Sequence, residues 1–126
     1  MVRFGLVKSI FDYGVLVIKD LNEHQLAELE VSEVRELKLK GVHEVSGLHD
    51  ALALVLKFPT WYGKNLDALN DLLTDLPDEA RIVVKVSRKE WDGIQGSYGF
   101  ESSFKLATKG SGGIGYGRGK ILLLKV

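Results

Sequence analysis

The sequence predicts an α/β domain in which short parallel strands alternate with helices, and three observations predict it. Residues 81–87 (RIVVKVS) have a continuously apolar middle, as strands buried on both faces of a parallel sheet do. Residues 120–126 (KILLLKV) have the same character. Between residues 46 and 76, leucines recur at helical spacing on two successive segments.

In chain order, residues 2–10 and 15–19 are rich in Val, Ile, Leu and Phe and flank Phe11-Asp12-Tyr13-Gly14, a pattern that predicts an N-terminal β-hairpin. Asn22 followed by Gln25 reads as a reciprocally capped helix start, with Leu26 and Leu29 on a short helix. Residues 33–40 (EVRELKLK) alternate like a strand with one better apolar face, and Gly41 ends it. Ser46 is expected to cap a helix running to about Lys57, with Leu48, Leu52, Val55 and Leu56 on its buried side. Pro59 closes that helix, because the residue before a proline is pushed out of the helical region. After the aromatic loop Thr60-Trp61-Tyr62-Gly63-Lys64, Asn65 begins a second helix carrying Leu66, Leu69, Leu72, Leu73 and Leu76. Trp91, with Glu90 and Asp92, is expected at a strand end and surface turn. Phe100, Phe104 and Ala107 either line a short helix or belong to an extended 103–108. Six of the 14 glycines fall within 110–119, which predicts a mobile loop.

A chain of 126 residues suits one domain, here 1–126, able to bury roughly two-thirds of the surface its unfolded form exposes. It contains no cysteine, so no disulfide contributes. Neither a signal-peptide pattern nor an apolar run of about 18 residues occurs, and the expectation is a cytoplasmic protein without membrane association. Seventeen bases balance seventeen acids, which gives no general attraction to nucleic acid. The balance is segregated: Asn65 to Ala80 holds five acids and no base, and Ser102 onward holds five bases (Lys105, Lys109, Arg118, Lys120, Lys125) and no acid.

The most informative stretch is Pro59 to Asp75, PTWYGKNLDALNDLLTD. With the leucines on one helix face, Asp67, Asn70, Asp71 and Thr74 fall on the other, and Asp67 stands one turn from Asp71. A like-charge pair at this spacing costs an isolated helix roughly 0.2–0.5 kcal/mol, and no base on the helix offsets it. Uncompensated acids beside aromatic residues suit a cationic partner.

Val45 to Asp75 resembles the first two helices of the barstar family of ribonuclease inhibitors. The likeness is carried by Ser46, Leu48, His49 and Leu52, then Pro59 with Trp61-Tyr62, then Gly63, Asn65, Leu66, Asp67, Ala68, Leu69, Asp71 and Thr74. It is strongest there and holds in outline over 34–126, leaving 1–33 as an N-terminal extension. The resemblance implies a small three-stranded parallel sheet with packed helices, plus the hairpin. It also implies a non-catalytic inhibitor of a barnase-like bacterial ribonuclease, acting in immunity or self-protection. The partner-binding residues it implies are Trp61, Tyr62, Gly63, Asn65, Leu66, Asp67, Asn70 and Asp71, with Asp71 as the central phosphate mimic and Asp67 beside it. Asn70 stands where the family has an interface tryptophan, and the glycine-rich basic segment 109–120 stands where the family has a second acidic patch. The alternative is a barstar-like interaction module binding another basic protein in a regulatory role.

Other motifs carry less. Gly110 to Gly115 spells G-x-G-x-x-G, but no helix or later acid follows it, as a dinucleotide site requires. His24, His43 and His49 lack metal-ligand spacing, and His49 matches a structural histidine of the family. Asp67 and Asp71 have no nucleophile or third ligand nearby, so no catalytic residue, metal or cofactor is expected. A monomer is expected, with dimerisation through the N-terminal hairpin as the open alternative.

Overall fold

The computed structural model describes residues 15–17, 33–77, 80–107 and 121–126. The predicted hairpin arm 2–10 and its turn, the helix at 22–29 and the glycine-rich loop lie outside these residues. The elements are β1 (Val15–Val17), β2 (Glu33–Leu37), α1 (Val45–Leu56), α2 (Leu66–Thr74), β3 (Ile82–Val86), α3 (Arg88–Asp92), α4 (Ser97–Ala107) and β4 (Ile121–Lys125). Among the described residues the sheet order is β1-β4-β3-β2, and its three pairings are parallel. The three expected strands therefore form β4-β3-β2, with Ile82 opposite both Glu33 and Ile121. The stretch assigned to the second hairpin arm adds a fourth strand at the β4 edge, Val15 opposite Leu123.

Alternation along the strands sends Leu37, Ile82, Val84, Val86, Ile121 and Leu123 into the core shared with Leu48, Leu52, Leu56, Leu69, Leu73, Trp91, Phe100 and Phe104. Val83, Leu122 and Leu124 alternate to the other face and are buried as well. That double burial explains why β3 and β4 read as apolar runs.

Helix ends account for two differences from expectation. In α1 the extended residue before the first turn is Glu44, so Ser46 sits inside the helix and does not cap it. Lys57 ends α1 in the left-handed conformation (φ 57°, ψ 47°) and donates its N–H to Ala53 O, ahead of Pro59. α2 begins as predicted, since Asn65 Oδ1 accepts from Ala68 N at 2.8 Å.

Trp91 is a correction. It lies on α3, fully buried, and not on a surface turn. Ser87 caps α3 by accepting from Glu90 N at 3.3 Å. The overlooked signal was Ser87-Arg88-Lys89-Glu90, a Ser-x-x-Glu start. Trp91 Nε1 donates to Glu101 Oε2 at 2.9 Å, and Lys125 Nζ reaches Glu101 at 3.1 Å and Asp92 at 2.7 Å. Lys125, one of the five bases counted after Ser102, is thus a buried, paired cation joining β4 to α3 and α4. The open choice at 97–108 resolves as helix, with Phe100, Phe104 and Ala107 buried.

Candidate partner-binding surface

The segment after α1 returns along it, and polar contacts hold it there. Tyr62 N bonds to Pro59 O at 3.0 Å, closing a turn. The Tyr62 hydroxyl lies 2.6 Å from His49 Nδ1, and both side chains are buried. The Tyr62 ring packs 4.8 Å from Phe58, and His49 packs 4.5 Å from Phe100 on α4. Burial pulls the His49 imidazole below its usual range, with Lys64 adding to the effect and Asp50 opposing it. Burial also pushes the Tyr62 phenol up to about 12. At neutral pH the phenol and the imidazole are therefore both uncharged, and the hydroxyl and Nδ1 share one buried hydrogen bond.

Tyr62 sits deeper than the other residues of the expected contact set. At 7% exposure it supports the loop from beneath, while its neighbour Trp61 is 75% exposed. The aromatic pair divides its work: one ring anchors and the other is presented to solvent.

Gly63 and Asn65 join the loop to α2. Asn65 Oδ1 caps the helix while its Nδ2 donates to Gly63 O at 3.3 Å. A Cβ on Gly63 would stand 3.2 Å from that Nδ2, so the missing side chain makes room for the cap. Lys64 is held in the left-handed region (φ 52°) and pairs with Asp50 of α1 at 2.8 Å. This exposed bridge contributes about 0–1 kcal/mol at most, but it commits the loop's cation to α1.

Asp67 and Asp71 are exposed on α2, and among the described residues no lysine or arginine bridges either. Asp67, in the first turn, also meets the positive end of the helix dipole. Thr74 Oγ1 donates back to Asn70 O at 2.8 Å and Asp71 O at 3.0 Å. Leu66 is 40% exposed. Asn70 is half-buried and its Oδ1 is enclosed without a hydrogen-bond partner, so it sits at the margin of the acidic face. Trp61, Gly63, Asn65, Leu66, Asp67 and Asp71 are thus brought to one exposed loop–helix unit; Tyr62 lies beneath it and Asn70 at its edge.

Among the described residues no group of His, Asp and Glu is placed to hold a metal, and no helix is long and apolar enough to cross a membrane. A cleft of about 290 Å³ opens at the carboxyl ends of β2 and β3, where parallel sheets commonly bind ligands. Its charged lining mixes Lys38, Lys40 and Lys85 with Glu36 and Glu90 and selects no ligand class.

Compared with known protein families, residues 32–95, slightly over half of the 126, match the family described as barstar (barnase inhibitor). No curated protein matches the chain.

Proposed function

The chain belongs to the barstar family, and from that premise we propose that it inhibits a barnase-type ribonuclease by filling the enzyme's cationic active site with its loop–helix surface. The observation that carries this reading is the exposed pair Asp67 and Asp71, unbridged among the described residues, beside the exposed Trp61. A ribonuclease binds RNA phosphates among basic side chains. Carboxylates at phosphate-like positions compete for those cations without offering a bond to cleave. In this reading Asp71 occupies the central cationic position and Asp67 the next. Trp61 covers the rim, and Gly63, Asn65 and Leu66 approach the enzyme's backbone.

The surface is prepared before encounter. The buried Tyr62–His49 bond and the Asn65 clasp fix the loop, which reduces the ordering entropy lost on binding. Fixed like charges steer a basic partner toward the face, an effect that salt weakens. The protein acts as a cytoplasmic protection factor and carries out no chemistry itself. The test is stoichiometric inhibition of barnase, lost on Asp71→Ala. Inhibition that survives the substitution contradicts the reading.

A further inference from the structure

We propose that the docking surface has a second, apolar lobe outside the α1–α2 loop, formed by Tyr98 on α4 with Leu66 on α2, and that Tyr98 contacts the rim of the same basic partner. This rests on the proposed inhibitory role.

The first turns of three helices meet at one corner. A Cβ on Gly99 would lie 3.4 Å from Leu66 Cδ1, and one on Gly96 would lie 2.8 Å from Val45 Cγ1. The start of α4 is therefore pressed against the first residue of α1 and the first residue of α2, and its glycines allow that approach. Gly96 also takes φ +94°, which side-chain-bearing residues rarely adopt. Phe100, on the inner side of this turn, packs against His49 with the rings tilted by 50°, so the corner is tied to the pinned loop.

Tyr98, the residue before Gly99 in the chain, is 74% exposed, with Leu66 at 40% and Val45 at 38%. Apolar residues scattered singly over a surface need no explanation, but three gathered at one corner form a patch. Leu66 belongs to both the patch and the acidic face, and it immediately precedes Asp67, so the two are continuous. A patch edged by carboxylates that no base bridges among the described residues fits a partner whose apolar rim carries arginine or lysine. A tyrosine ring suits that chemistry, because it offers flat apolar area at low entropic cost and a face that attracts a guanidinium. Half-buried Asn70 supplies no aromatic contact, and Tyr98 provides one from the neighbouring helix.

The experiment is titration of barnase activity with the full chain and with Tyr98→Ala, Tyr98→Lys, Leu54→Ala and Asp71→Ala. Leu54 on α1 is 82% exposed and serves as the apolar control away from the corner. Tyr98→Ala should weaken inhibition about 10- to 30-fold, as loss of an aromatic anchor does, with the melting temperature unchanged. Tyr98→Lys should weaken it further by placing a cation against a cationic rim. Leu54→Ala should have no effect. If Asp71→Ala abolishes inhibition while both Tyr98 variants stay within twofold of wild type, the apolar lobe is refuted and the inhibitory reading stands. Equal losses in Leu54→Ala and Tyr98→Ala also refute it. Absence of inhibition by the wild type overturns both.

Discussion

Replacing Lys125 with methionine removes an ammonium and leaves the Glu101 carboxylate enclosed. The two side chains are only 8% and 11% exposed, and their charged atoms lie 3.1 Å apart. Breaking a buried pair from one side costs about 3–5 kcal/mol, because the remaining charge is neither solvated nor matched. Two features place Lys125→Met toward the lower end. Glu101 retains the Trp91 N–H, and Asp92, the other partner, is half-exposed and can be hydrated. A loss of about 3 kcal/mol follows. Glu101→Gln keeps an acceptor for Trp91 and leaves Lys125 its Asp92 contact, so it should cost about 1–2 kcal/mol. The double variant leaves no isolated charge on Glu101's side, and its cost should fall short of the sum by about 1–2 kcal/mol. Urea unfolding followed by circular dichroism measures all three, provided the slope with denaturant is unchanged. An alkaline titration adds a second readout. Desolvation lowers the Lys125 pKa, but its hydrogen bonds to Asp92 and Glu101 outweigh that and leave it raised above 10.5. Its folded value therefore exceeds its unfolded one, so its stabilisation is complete below about pH 10.5 and disappears as pH rises through the folded value. Strictly additive costs, or an alkaline limb identical in wild type and Lys125→Met, would refute the assignment of this pair as the link between β4 and α4.

Lys57→Gly should stabilise the protein by about 0.5–1 kcal/mol, because the residue ending α1 occupies the left-handed region at a steric cost that glycine avoids; a melting temperature at or below wild type contradicts this. His49 titrates below its unfolded value of about 6.5, so its neutral form stabilises the fold fully above that pH and the benefit declines as pH falls toward the folded value. Imidazole NMR titration should place the midpoint below 6.5, and a higher midpoint refutes the buried, neutral assignment. Tyr62→Phe should cost about 1–2 kcal/mol by leaving Nδ1 enclosed without its hydrogen-bond partner, and equal stability would refute the bond.

Patterns that depend on a residue's immediate neighbours were legible in the sequence. The apolar runs at 82–86 and 121–125 marked doubly buried strands, and Asn65 marked the start of α2. Features decided by distant contacts were not. Ser46 has the right chemistry for a cap, but the chain enters α1 two residues earlier, through Glu44. Trp91 stands in a charged pentapeptide that reads as surface, and its burial depends on Glu101 accepting its N–H from ten residues away. Tyr62 and Trp61 are indistinguishable as adjacent aromatics; the hydrogen-bonding partner at His49 decides which one turns inward. Arg35 illustrates the same limit at the β2 edge, where it bonds both Glu33 and the carbonyl of Val55. The parallel pairing of β1 with β4 joins segments more than 100 residues apart, and no local pattern announces it.

The most direct test of the account is to titrate the protein into a barnase activity assay, with Asp71→Ala alongside and the melting temperatures of both recorded. The wild type should inhibit one-to-one, and the variant should lose on the order of 100-fold or more, a magnitude typical of buried charge pairs at interfaces, the barnase–barstar complex itself among them. Melting temperatures should agree, because Asp71 is exposed and unbridged among the described residues. Equal inhibition by both proteins, or none by the wild type, would contradict the claim that this acidic helix face is the working surface against such an enzyme.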